Sequence, residues 1–512
     1  MNGAEALVAT AASLGIEICF ANPGTTEIPL VLALDSVPGL RGILCLHENV
    51  ATGAADGYGR MARKPALCLL HLGPGLANGL TNLHNARRAH TPLVNVMGEH
   101  TTWHVGADPL LATDLERVAG LVSRFVRTSK SAAAIATDIR DAIGSAMAGG
   151  GGIASLIVPH DCQIGEAQTS LPRQHAPAKA AYAPSRVIEA AKALEEGRAA
   201  ILLGGEALTE AGLHLAGRIA GRTGAGLYCD TFFARMERGE GMPLVRKLPY
   251  LPDQALGVTR KYRRVVIAGT RRPVMFFGYQ GYPSHVTTDE QTLLLTGPGD
   301  DTLGALEALA AEIEAPDAFD PPEGALPAMP KGPLDALSVS AVIARLQPRE
   351  AIVMDEALTV GIPYFEASRH APRFSHLMLT GGAIGQGPGA ATGAAVACPG
   401  RKVINFQSDG CGAYSVQAFW TQAREKLDVV TVVGANRSYN ILNVELQRAG
   451  VTEPGPIARA MTSLRSPDLD WVRIGEGFGV PSVSVETAEA LARELERALS
   501  ATGPRLIEAI MT

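Results

Sequence analysis

The sequence predicts an α/β protein built from three consecutive doubly wound parallel-sheet domains, and three observations lead there. Its 512 residues exceed what one hydrophobic core usually organises. Apolar runs of strand length alternate with helical patterns along the chain, as in parallel sheets covered by crossover helices. Two polar, proline-containing stretches interrupt that alternation and divide it into three.

The first unit spans residues 1–165 and opens with MNGAEALVATAASLGIEICF, an amphipathic helix followed by a strand. Strand candidates recur at ICFA, GILCL, ALCLL, LVNVM and ASLIVP, with helical patterns at 51–62 and 76–89 between them. A linker over 166–185 carries Pro172, Pro177 and Pro184. The second unit, 186–313, restarts the pattern with AAILLGG at 199–205 and continues it with RRVVIAG. The second linker, 314–333, is denser still in proline and acidic residues, and sustains neither helix nor central strand. In the third unit, 334–512, AIVMDEA, GGAIGQGPGAATGAA, VINFQSDG, VVTVVGAN and RLIEAI resume the alternation.

Composition narrows the function classes. Hydrophobic residues make up 46% and charged residues 19%, which suits closely packed α/β layers and excludes a disordered chain. A formal charge of −6 leaves no basic surplus to neutralise phosphates along a polymer, so no nucleic-acid partner is expected. The seven cysteines are scattered without a CxxC pair and read as reduced, buried thiols. No basic-then-apolar leader appears, and no uninterrupted apolar run approaches the roughly 20 residues that cross a bilayer. A soluble, cytoplasmic protein without a membrane partner is the expectation.

The chemistry concentrates around Ser408-Asp409-Gly410. There the strand RKVINFQ runs into an acidic turn, and a helix-like stretch leads to a second strand, DVVTVVGA, that stops at Asn436. A carboxylate and an amide on neighbouring strand ends can hold a hard cation such as Mg²⁺, which prefers oxygen ligands shared with phosphates. The backbone carbonyl of Ser438 could complete the protein's share, and Gly410 lets backbone N–H groups approach a diphosphate. Asp-Gly alone is a common turn dipeptide. The pair with this intervening pattern points to a metal-held diphosphate.

The segment SDGCGAYSVQAFWTQAREKLDVVTVVGANRS resembles the thiamine-diphosphate motif, usually written GDG followed by NN. Ser408 replaces the first glycine and Ala435 the first asparagine; neither change removes a metal-ligating side chain, though Ser408 could alter how closely the turn hugs the diphosphate. Upstream, ANPGTTE at 21–27 and LHENVATGAADGYGRMARKP at 46–65 resemble the pyrimidine-binding domain of the benzoylformate decarboxylase and acetohydroxyacid (acetolactate) synthase family. The resemblance covers essentially the whole chain and implies pyrimidine-binding, central and diphosphate-binding domains in that order.

It also implies residue roles. Glu48 would hydrogen-bond the aminopyrimidine and promote removal of the thiazolium C2 proton. Ile384 would support the bent cofactor, with Asp409, Gly410, Cys411 and Asn436 around the diphosphate and Asp409, Asn436 and Ser438 on Mg²⁺. His71 matches a position where the decarboxylase carries an active-site histidine and the synthases do not; a histidine closing a strand also reads as a hydrogen-bonded structural group. Thr25, Ile441 and Leu442 match substrate-contacting positions, and Glu445 lies one helical turn farther on. The decarboxylase's second catalytic histidine has no counterpart other than His285 in RRPVMFFGYQGYPSH.

The implied activity is decarboxylation of a small 2-oxo acid, followed by protonation or ligation of the resulting enamine. A catalytically silent thiamine-diphosphate-binding paralogue with a structural or regulatory role is the alternative. The glycine patterns LGPGLANG and GQGPG lack a full dinucleotide fingerprint, so NAD is discounted; FAD is possible but not expected. The family builds each site from two chains, which implies a homodimer at minimum, with a homotetramer expected.

Overall fold

The computed structural model describes residues 1–168 and 180–511. Residues 169–179, most of the 166–185 linker, lie outside the described residues, as does Thr512. In the first segment the strands are β1 (Ile18–Asn22), β2 (Arg41–Leu44), β3 (Leu67–Leu70), β4 (Leu93–Glu99), β5 (Phe125–Thr128) and β6 (Ile153–Pro159). They form a sheet in the order β2-β1-β3-β4-β6-β5, parallel throughout. The next strands are β7 (Ala199–Leu203), β8 (Gly226–Cys229), β9 (Arg235–Arg238), β10 (Val245–Lys247), β11 (Arg264–Ala268) and β12 (Thr292–Thr296). Five of these make a second parallel sheet, β10-β8-β7-β11-β12.

The last strands are β13 (Ile352–Glu356), β14 (Phe374–Met378), β15 (Val403–Ser408), β16 (Val429–Ala435), β17 (Ser482–Val485) and β18 (Arg505–Ile510). They build the third sheet, β17-β18-β16-β15-β13-β14-β9, whose one antiparallel pairing is β14 with β9. The fold class is therefore three parallel-sheet α/β layers, with an edge strand lent to the third sheet from the second segment. Arg238 explains the loan. Its buried guanidinium stacks 3.7 Å from the centroid of Phe365 and donates to Phe365 O and to Ser368 Oγ at 3.0 Å. A buried guanidinium needs such partners, and they exist only on the third unit.

The helices predicted at 51–62 and 76–89 run over Glu48–Ala62 and Leu72–Ala89. The first starts earlier because the His47 side chain caps it, accepting from Asn49 N at 3.0 Å. This helix lies against Gly387–Ala397 of the third unit, glycine facing glycine. A Cβ at Gly57 would lie 1.9 Å from Ala390 O, and one at Gly393 would lie 1.8 Å from Ala54 O. Only missing side chains permit that approach. Below the crossing, Asp56 and Arg60 form a buried ion pair at 2.8 Å. Arg60 also donates to Met378 O and Thr380 Oγ1, both at 2.8 Å, so the first and third units share a hydrogen-bonded seam. Among the described residues no helix is long and apolar enough to cross a membrane.

Candidate active site

β15 and β16 run side by side with Ser408 level with Gly434, so Asp409 and Asn436 leave the carboxyl ends of neighbouring parallel strands. Asp409 is buried, and its partners are backbone amides: Gly410 N donates to Oδ1 at 2.8 Å and Arg437 N to Oδ2 at 2.6 Å. Arg437 adopts a left-handed backbone, φ 58°, so the chain turns directly after this N–H. Asn436 Oδ1 accepts from Ser438 N at 3.0 Å. Burial pushes the Asp409 carboxyl above its usual range, the expected cost of a buried anion facing neutral donors. A divalent cation would relieve that cost. The donor set, a carboxylate, an amide oxygen and the Ser438 carbonyl, is all hard oxygen and fits Mg²⁺.

The two departures from the motif are structurally mild. Ser408 has an extended backbone, φ −94° and ψ 159°, which any residue adopts. Ala435 is the buried last residue of β16. Gly410, by contrast, is required for space, since a Cβ there would lie 2.5 Å from the Tyr439 ring. Cys411 is buried, and burial pushes its thiol far above the usual range.

Ile384 stands half-buried in the turn before the Gly387–Ala397 helix. The turn is held by a carboxylate that sequence reasoning did not single out. Glu356, buried at the end of β13, accepts from Gly385 N at 2.8 Å, Gln386 N at 3.0 Å and Gly387 N at 2.7 Å. Burial outweighs those three donors and raises its pKa to about 7. The only sequence signal was an acidic end to AIVMDEA.

In the first unit, Glu48 occupies the first turn of its helix and is buried, with Asn78 Nδ2 donating to Oε2 at 3.0 Å. A Cβ at Gly75 would approach Glu48 Oε1 to 3.0 Å, so the LGPG turn is shaped around this carboxylate. His71 stands just before the neighbouring Leu72–Ala89 helix, and its Nδ1 lies 2.7 Å from Oε2 of the fully buried Glu27. Glu27 Oε2 also accepts from Gly24 N at 2.8 Å and Oε1 from Thr26 Oγ1 at 2.6 Å. Glu27 was missed in the sequence; its trace there is the last letter of ANPGTTE. Thr25 is exposed, and Thr26 rather than Thr25 lies beside His71, at 3.4 Å.

Ile441 and Leu442 sit on the helix Asn440–Arg448, none of whose residues is buried within this chain; Leu442 is 45% exposed. Glu445 accepts from Tyr279 Oη at 3.0 Å, tying this helix to the RRPVMFFGYQGYPSH stretch. That stretch leaves His285 exposed and instead brings Phe276 against Gly382, where a Cβ would lie 2.5 Å from the ring. Phe276 packs at 5.1 Å from Tyr250 and 4.9 Å from Phe277, an aromatic cluster beside the Ile384 turn.

Comparisons with known proteins bear on the family and the fold. The family described as "Thiamine pyrophosphate enzyme, N-terminal TPP binding domain" matches residues 1–118, and its "C-terminal TPP binding domain" matches 360–509. A Mycobacterium tuberculosis protein named "Putative acetolactate synthase large subunit IlvX" is 46% identical over 516 residues, covering 100% of this chain and 99% of its own. Benzoylformate decarboxylase of Pseudomonas aeruginosa is 28% identical over 527 residues, with 96% of each chain covered. The structure of Rhodococcus jostii RHA1 thiamine diphosphate-dependent 4-hydroxybenzoylformate decarboxylase superposes with a TM-score of 0.89 at 23% identity, covering 100% of this chain and 99% of that one, a likeness of fold.

Proposed function

This chain belongs to the thiamine pyrophosphate enzyme family, and we propose that it is a Mg²⁺-dependent enzyme that decarboxylates a 2-oxo acid. Bound thiamine diphosphate supplies the electron sink that makes loss of carbon dioxide feasible. The residues of this chain bind, orient and move protons around it. Asp409 and Asn436, with the Ser438 carbonyl, would hold the cation and through it the diphosphate. Glu48, oriented by Asn78, would hold a proton at the pyrimidine. Ile384, fixed by the Glu356-bound turn, would support the bent cofactor.

His71 would handle the product proton. Glu27 engages Nδ1, which leaves Nε2 free to give or take a proton. That pairing supports protonation over ligation to a second carbonyl, and the aromatic cluster at Phe276 supports a substrate carrying a ring. Thr25, Ile441 and Leu442 would line the substrate's approach. Apolar surface at Ile28, Leu32, Tyr414 and Ile457 is left exposed, which supports contact with a second copy, hence at least a homodimer, with a homotetramer as two such pairs.

The observation that carries this reading is the Asp409–Asn436 pair at adjacent strand ends, in a chain that also keeps Glu48 buried at a helix start. Protein loaded with thiamine diphosphate and Mg²⁺ should be incubated separately with benzoylformate and pyruvate, and the products identified. Carbon dioxide and aldehyde are the expected outcome, with benzoylformate the better substrate. Acetolactate as the main product from pyruvate would replace the decarboxylase reading with the ligase one, and no release of carbon dioxide from either would reject both.

A further inference from the structure

Away from the strand ends just described, a cavity of about 540 Å³ opens between the edge strand β10 of the second sheet and the Tyr364–Ala367 helix of the third unit. That size lies within the ~300–1,000 Å³ typical of small-molecule pockets. Arg246, Lys247 and Lys261 all line it. Among the described residues none of their cationic groups has a hydrogen bond or an ion pair; Lys247 Nζ lies 5.3 Å from the centroid of Phe365 and feels the Asp355 and Glu366 carboxylates from beyond ion-pair distance. The acid in the wall, Glu366, forms its ion pair with Arg369, two residues past the end of its helix, and not with any of the three.

Lys247 is the telling member. Arg246 and Lys261 are exposed and could be solvated, but Lys247 is largely withdrawn from water. Burial lowers the pKa of its ammonium, so the protein bears a cost for holding the charge there. An anion in the cleft would remove that cost. The rest of the wall is aromatic and apolar. Tyr228 and Tyr262 meet edge to face with centroids 5.7 Å apart and share a 2.9 Å hydrogen bond between their hydroxyls. Ile362, 66% exposed, faces them across the opening.

We propose that this cleft is a second ligand site, binding a phosphorylated molecule with a planar ring, of the nucleoside phosphate class. Three cations converging on one cavity suit a multiply charged phosphate group better than a single carboxylate. The tyrosine pair and Phe365 offer ring faces and edges for the planar part. The ligand would bridge the second and third units where β9 already joins them.

The test uses the full chain saturated with thiamine diphosphate and Mg²⁺, so that the diphosphate site is occupied. Titration calorimetry with adenosine diphosphate, adenosine and inorganic phosphate should show one adenosine diphosphate site per chain and weaker binding of the two fragments. Arg246→Glu with Lys261→Glu should weaken adenosine diphosphate by about tenfold or more. Both positions are exposed, so turnover should be unchanged and reports that the fold is intact. Tyr262→Ala should weaken adenosine diphosphate but not inorganic phosphate. The proposal is overturned if adenosine diphosphate gives no binding at millimolar concentration or binds the double variant as it binds the parent. Inorganic phosphate binding as tightly as adenosine diphosphate would also reject it, by removing the ring from recognition.

Discussion

At the scale of single residues, the two ends of the site differ in how their charge is managed. Asp409 is buried against backbone amides, and in the proposed reading a cation would complete it. Asp409→Ala should abolish the rise in melting temperature that thiamine diphosphate with Mg²⁺ gives the parent protein, and chelation of the metal should reproduce that loss in the parent. His71, in the proposed reaction, would act on protons instead. His71→Ala should lower turnover by about 10²–10⁴-fold with cofactor affinity little changed, whereas Glu27→Gln should displace the pH–rate profile, as a residue that sets the ring's tautomer would. Equal loss of cofactor binding in His71→Ala would mark that histidine as structural.

Glu356 makes a prediction of the opposite kind, on stability. Its folded pKa of about 7 lies above its unfolded value, so the folded state binds the extra proton between the two. This group's contribution is therefore most favourable below about pH 4.5 and becomes destabilising as pH rises through 7, by an amount on the order of 3 kcal/mol. Urea unfolding at pH 5 and pH 7.5 should show that fall in the parent and a smaller one in Glu356→Gln. A steeper fall in the variant would contradict the assignment.

At the scale of elements, the crossing of Glu48–Ala62 with Gly387–Ala397 positions both Glu48 and the Ile384 turn. Gly393→Val would drive a side chain into the Ala54 carbonyl and should destabilise by about 3 kcal/mol or more, measured by denaturant midpoint. What the sequence made legible follows the same logic. The buried central strands β1, β3, β4, β7, β11, β15 and β16 announce themselves as apolar runs. β5 does not, because all four of its residues are half-buried at a sheet edge. β14 hides too, since Ser375 and His376 are buried by partners distant in sequence, such as Glu237 for Ser375 Oγ at 2.9 Å. Asp409 and Asn436 were readable because each terminates a strand with its own local pattern. Glu27 and Glu356 were not, because their meaning lies in His71 and in the Gly385–Gly387 turn, which only folding brings to them.

At the scale of the whole molecule, a site shared between copies predicts complementation. Glu48→Gln and Asp409→Ala proteins, each inactive alone, should regain activity when dissociated and reassembled together, because one of the two sites in a mixed pair is then intact. No recovery, with mixed pairs verified by mass spectrometry, would place the whole site within one chain. The most direct measurement asks whether Glu48 and the Asp409–Asn436 pair grip one molecule from opposite ends. It is the rate of deuterium exchange at the cofactor's C2 position in protein loaded with thiamine diphosphate and Mg²⁺. The parent should exchange far faster than free cofactor, and Glu48→Gln should bind cofactor yet exchange slower by about 10²-fold or more. Exchange in Glu48→Gln at the parent's rate would contradict the shared grip.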